Sequence, residues 1–357
     1  MNIARIIIIG LVLLATGCTT IGPQSVERDR FDYNSAISNS WKEQTLLNIV
    51  KIRYADMPLF VEVASVVSGY TLETAVNIGG TISTGSGIGD FVDLGTAGKY
   101  TDRPTITYAP ITGQQFNKSF MTPIPPGAVL FLTQSGWPVD LILPLTVDSI
   151  NGLRSRISAG ANRREGDQNY YRVVELLREL QKSGAVGMQV LKGNNAQQTT
   201  VLFFHRKNLE PEAAAAIEEV DRLLGLNPDR RQITVRYGLL PQDDTEIAML
   251  TRSMLHIMVE LATQINVPSQ HVSEGRTVPS LAAPDSAEEK VGQLVNIRSS
   301  VDKPENSYAA VNYKDHWFWI DDMDFKSKRT FTFLMILFST TESGGKEGLP
   351  LVTIPAG

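Results

Sequence analysis

Residues 70–101 read YTLETAVNIGGTISTGSGIGDFVDLGTAGKYT, and this stretch carries the strongest structural pattern in the chain. From Tyr70 onward, Leu72, Thr74, Val76, Ile78 and Ile82 alternate with Glu73, Asn77, Thr81 and Ser83. After a glycine-rich turn over residues 84–90, Val92, Leu94, Thr96 and Tyr100 alternate with Asp93, Lys99 and Thr101. Successive strand residues point to opposite faces, so alternation on both sides of such a turn marks an amphipathic β-hairpin. Each arm spans about ten residues, the length of a tilted strand that crosses a bilayer. Two uses fit. The hairpin is donated to an oligomeric outer-membrane barrel, or its apolar face covers the chain's own core. The arms lack the paired aromatic girdles of membrane strands, which favours the second.

The amino end supplies the address. Residues 1–17 join a short positive start, with Arg5, to an apolar run over residues 6–14, and Ala15-Thr16-Gly17-Cys18 follows at once. This is the pattern of a secretory signal ending in a lipobox: cleavage falls between Gly17 and Cys18, and Cys18 then carries S-diacylglycerol and N-palmitoyl groups. The apolar run is about half the roughly 20 residues a spanning helix needs. Ordinary cleavage is the competing reading, because Ala15 stands where lipoproteins more often carry leucine. Cys18 is the sole cysteine, placed where lipid attachment requires it, and it leaves none for an internal disulfide. Two or three acyl chains suffice for stable anchoring. Thr19 in place of an aspartate implies sorting to the outer membrane, with the mature chain on its periplasmic face.

At 357 residues, 42% of them apolar, the chain has material for two or three compact units. Removing residues 1–17 takes away Arg5 and no acid, so the formal charge moves from -5 to -6. A mildly acidic chain lacks the basic face that a nucleic-acid partner demands. The partners implied are the bilayer, through Cys18, other envelope proteins, and further copies in a homo-oligomer. Residues 331–338 form the longest apolar run beyond the signal and are too short to span.

The fold expected is α+β. After a tether over residues 18–30, residues 31–136 hold an N-terminal helix, the hairpin and smaller pieces. Ser40 and Glu43 form a capping box for a helix ending near Tyr54, followed by a largely buried strand over residues 59–67. A short strand at 105–108, a helix at 112–121 and an apolar piece at 129–133 come next. Residues 137–240 read as strand (138–147), helix (168–182), strands (187–191 and 199–205), helix (from Pro211 to Gly225) and strand (232–237). That β-α-β-β-α-β order matches a ferredoxin-like module, a fold that by itself names no activity. In the C-terminal segment, 241–357, the spacing of Ile247, Leu250, Met254, Met258, Leu261 and Ile265 predicts one long helix. An exposed loop (269–292), three strands (294–298, 308–313, 316–320), a central helix (325–338) and a loose tail from Gly344 complete it.

Candidate chemistry is sparse. Asp321, Asp322 and Asp324 are oxygen ligands for Mg²⁺ or Ca²⁺, or an acid/base pair, in one reading. In the preferred reading Asp324 caps the following helix and its neighbours favour the positive helix end. His205, His256, His271 and His316 show no metal-ligand spacing, and no nucleophile elbow or phosphate loop occurs. Trp317, Phe318 and Trp319 line a sugar or peptide groove in one reading; strand alternation, however, puts Trp317 and Trp319 on one face and Phe318 on the other, and aromatic strand residues usually belong to the core. No catalytic, cofactor-binding or metal-binding residue is assigned.

The combination of residues 41–63 (WKEQTLLNIVKIRYADMPLFVEV), 102–106 (DRPTI), 135–138 (SGWP), 150–153 (INGL), 251–253 (TRS) and 316–322 (HWFWIDD) resembles an uncharacterised family of Gram-negative bacterial outer-membrane lipoproteins. It covers nearly the whole mature chain. The resemblance implies the envelope address and adds no site. The expected function is therefore a non-enzymatic structural or assembly factor of the envelope. The alternatives are an oligomeric pore built from the 70–101 hairpin and a metal-dependent hydrolase using residues 321–324.

Overall fold

The computed structural model describes residues 23–67, 70–81, 91–102, 105–158, 164–192, 198–205, 209–230, 232–280 and 293–342. Residues 1–22, with Gly17 and Cys18, lie outside them, as does the tail from residue 343. The order is α1 (Pro23–Arg53), β1 (Val61–Val67), β2 (Tyr70–Thr81), β3 (Phe91–Asp102), β4 (Thr105–Pro110), α2 (Pro126–Gln134), α3 (Val139–Thr146), β5 (Val147–Ile150), β6 (Leu153–Arg154) and α4 (Gln168–Ser183). It continues with β7 (Val186–Lys192), β8 (Gln198–Phe204), α5 (Pro211–Leu224), β9 (Ile233–Tyr237), β10 (Glu246–Thr251), α6 (Met254–Ala262), β11 (Arg298–Ser300), β12 (Ser307–Tyr313), β13 (His316–Asp321) and α7 (Phe325–Glu342). The protein is mixed α+β, and its described residues fall into two compact units, 23–58 with 112–342, and 59–111.

The larger unit is built on a six-stranded sheet in the order β6-β5-β10-β9-β8-β7. The motif β5-α4-β7-β8-α5-β9 has the expected β-α-β-β-α-β order, but its pairing is not ferredoxin-like. β10, from beyond residue 240, lies between β5 and β9, antiparallel to the first and parallel to the second. Residues 238–245 make the β9–β10 return, short for a parallel pair, and Thr234 and Asn227 hold it by donating their N–H groups to the carbonyls of Thr245 and Asp244.

Two apolar elements differ from the sequence expectation. The long helix expected from Ile247 is β10, then a break at Arg252-Ser253, then α6, with the Ser253 hydroxyl accepting from the His256 N–H at 3.3 Å. The strand expected at 138–147 is helix α3, with Pro138 at its start and every residue of Val139–Thr146 except Asp140 buried. That run is apolar at nearly every position and so carries no clear period, whereas across 247–265 the apolar residues of β10 and α6 continue one helical spacing through the break. Residues 129–133 likewise belong to helix α2, with Pro126 in its first turn. α1 begins at Pro23, so helix replaces the expected tether over 23–30, and Ser40 sits inside it rather than at its cap. No proline or glycine interrupts residues 24–53.

α4 and α5 end as expected on Gly184 and Gly225, both left-handed (φ 69° and 66°). The Ile150-Asn151-Gly152-Leu153 block is a two-residue turn with positive φ at both central positions. Asn151 also accepts from the Ala248 N–H (2.7 Å) and donates to the Leu224 carbonyl (2.8 Å), tying three elements together. Arg252 is 2% exposed and donates to the carbonyls of Pro144 (2.9 Å) and Arg156 (3.0 Å) and to the Ser155 hydroxyl (2.7 Å). It thereby fixes the start of the basic loop that follows β6.

A second sheet, β11-β13-β12, packs with α1 and α7. Phe318, Ile320, Phe331, Phe333, Leu334 and Phe338 are buried here, and the Phe338 ring lies edge-on to Trp41 (6.3 Å) and Phe120 (4.7 Å). The expected strand at 294–298 shifts to β11. The loop expected to be exposed from residue 269 is anchored: His271 is buried, and Thr277 donates to the Arg53 carbonyl at 2.8 Å.

The smaller unit is the expected hairpin made longer. β2 pairs antiparallel with β3 from Tyr70↔Asp102 to Thr81↔Phe91, and β1 pairs with β4 from Val61↔Pro110 to Val67↔Thr105. Val67↔Thr105 and Tyr70↔Asp102 keep the same register, so the two described ladders, together the ribbon, share one frame. The single irregularity is a bulge between Val63 and Ser65. The 59–67 stretch is less buried than expected: Leu59 is 50% exposed, and Val61 and Val63 are half-buried.

Candidate functional site

The ribbon is the candidate interaction site, and its register shows why. Directly opposed residues share a face, so Leu72↔Tyr100, Val76↔Thr96, Ile78↔Leu94 and Gly80↔Val92 belong to one face. Thr71↔Thr101, Glu73↔Lys99, Asn77↔Gly95 and Gly79↔Asp93 belong to the other. In β1 the apolar residues stand at odd positions, Val61 and Val63, opposite Pro110 and Tyr108. The bulge at Ala64 then shifts the count by one, and Val66, opposite Ile106, leads into the even positions of β2. One inserted residue thus keeps a single apolar face along the whole ribbon. At its described end this face is open: Ile106 is 41% and Tyr108 56% exposed.

The acidic cluster is engaged by protein donors. Asp324 accepts from the backbone N–H of Ser327 (3.1 Å) and from its hydroxyl (2.7 Å), the helix-capping role preferred from the sequence. Asp321 pairs with Arg298 at 2.9 Å and accepts from the Met323 N–H, and Asp322 pairs with Lys328 at 2.6 Å. Along β13, Phe318 is buried whereas Trp317 and Trp319 are half-buried on the opposite face, each beneath a cation (Lys303 and Arg298, both 5.2 Å). Trp317 lines a cleft of about 770 Å³ along the edge strand β12, shared with Tyr308, Lys303 and the α1 residues Asn39, Lys42 and Glu43.

Sequence reading missed a cluster at the end of α1. Tyr54 and His271 share a hydrogen bond (Oη to Nδ1, 2.6 Å), and the His271 ring lies edge-on to His316 at 4.5 Å. Tyr313 donates its hydroxyl proton to Asp56, which also pairs with Lys314 at 3.3 Å. Burial pushes the Tyr54 hydroxyl up to about 12 and holds His271 below its ordinary value, with His316 and Arg276 adding to the second effect. Hydrogen bonds from Tyr313 and Lys314 hold Asp56 below the usual carboxylate range. His205 stacks edge-on against Phe203, and His256 lies 3.9 Å from Glu260. Residues 54 and 271 have no local signal that joins them.

Comparison with protein-family models, with curated proteins and with solved structures finds no match to this chain.

Proposed function

We propose that this chain is a lipid-anchored protein of the outer membrane, on its periplasmic face, and that it acts as a non-enzymatic structural or assembly factor of the envelope. The observation that carries this reading is the ribbon: two ladders in one frame, one apolar face, and Ile106 and Tyr108 of that face exposed. A surface of this kind serves contact with other components rather than chemistry. The lipobox at Ala15-Thr16-Gly17-Cys18 supports the address. The test is membrane fractionation of the native chain beside Cys18→Ser, with labelled palmitate supplied to both. Label and outer-membrane recovery confined to the native chain support the reading. Recovery of both in the soluble fraction sinks it.

A further inference from the structure

We infer that the ribbon donates strands: in the bilayer, β2 and β3 of one copy pair edge to edge with those of further copies and close a membrane-crossing barrel. This rests on the membrane address proposed above. Four observations converge on it.

The first is backbone accounting. β2 and β3 pair with each other, and their sheet contains no third strand among the described residues. Each therefore presents an outer row of N–H and C=O groups, a ready template for another strand. Another copy of this chain carries the complementary edge: the outer side of β3 fits the outer side of the next copy's β2, and repeating that contact around an axis closes a ring. In hydrocarbon such closure is compulsory, because an unpaired backbone group there costs several kcal/mol.

Length is the second. β2 and β3 are each twelve residues. At about 3.3 Å per residue they extend roughly 40 Å, and a tilt of about 45° reduces that to roughly 28 Å, close to the hydrocarbon thickness of about 30 Å.

Face composition is the third. The face holding Leu72, Val76, Ile78, Val92, Leu94 and Tyr100 suits lipid. The opposite face holds mainly Thr, Asn, Ala and Gly, together with Glu73, Asp93, Lys99 and Phe91, a predominantly polar composition that suits a water-filled lumen. The fourth is the bulge at Ala64. Its effect is to keep Val61, Val63, Ile106 and Tyr108 on the same face as the membrane-length segment. A ribbon that merely capped this chain's own core would have no use for an apolar face so long.

The experiment uses the full lipidated chain in mild detergent, with its mass measured by light scattering, and then added to dye-loaded vesicles of phosphatidylethanolamine and phosphatidylglycerol. The smallest barrels have eight strands, so two strands per copy predict a uniform assembly of roughly four or more copies that releases dye. Val76→Lys with Leu94→Lys, on the apolar face, should slow release by about tenfold or more, whereas Asn77→Lys with Thr101→Lys, equal in charge on the other face, should stay within about threefold of the native chain. Circular dichroism of both variants checks that the larger unit is folded. A monomer without release, a face-to-face dimer without release, or equal effects of the two variants would overturn the proposal. Because purified chain is added to vesicles directly, a failed fractionation of Cys18→Ser and a failed release assay remain distinct results.

Discussion

The larger unit and the ribbon are stabilised in opposite ways. In the larger unit, order comes from burial: Arg252 and Asn151 each tie three stretches of backbone together, and the phenylalanines at positions 318, 331, 333 and 338 are 2% exposed or less. In the ribbon, order comes from register, with one strand partner per arm and large apolar residues still open to solvent at Ile106 and Tyr108. The first arrangement is complete within one chain. The second has two strands per sheet among the described residues, an arrangement marginal in water by itself that gains from a partner.

That contrast can be broken at graded strength. The largest effect is expected from Arg252→Ala, which strands the carbonyls of Pro144 and Arg156 and the Ser155 hydroxyl in a dry site, at a cost of about 3–5 kcal/mol in urea unfolding. Tyr170→Phe comes next. Its hydroxyl lies 3.0 and 3.1 Å from the carbonyls of Leu143 and Val147, and its loss should cost about 1–3 kcal/mol by the same measurement.

A pH titration sharpens the same point. Burial holds both His256 and His271 below their ordinary values. Above about pH 6.5 they are neutral whether the chain is folded or not; below it the unfolded chain takes protons more readily, so stability falls toward the depressed folded values. The melting temperature of the larger unit should therefore decline as pH falls below about 6.5, and His256→Gln with His271→Gln should flatten that decline. The carboxylates held low, Asp56, Glu219, Asp243 and Glu274, act only below about pH 4.5. The smallest effect belongs to the ribbon: Ile106→Ser with Tyr108→Ser should move the unfolding midpoint by no more than about 0.5 kcal/mol. A larger shift would mean that the two units do not differ in the way described.

How much of this was legible in the sequence depended on whether an element had one wet face. α4 and α5 were legible because an apolar stripe, a polar face and a terminal glycine coincide, and β12 and β13 because Lys314-Asp315 joins two short strands. α3 reads ambiguously because its run is apolar at nearly every position, and β10 because its apolar residues share one helical spacing with those of α6. The start of α1 was misread because charged residues beyond Gly22-Pro23 were taken for a tether, although nothing among them opposes a helix. The order of the six strands was not legible at all, since β10 reaches β5 across about a hundred residues. The Tyr54–His271 contact is hidden by a separation of 217 residues. The capping role of Asp324, in contrast, was legible from its place just before α7.

The bulge at Ala64 also constrains how this sequence can drift. Because faces alternate with every residue, losing or gaining a single residue in either arm would turn all later apolar positions of that arm toward the opposite side. Length changes in the ribbon are therefore tolerated in pairs, or singly only where a second bulge restores the frame. Related chains should differ within these arms by even steps.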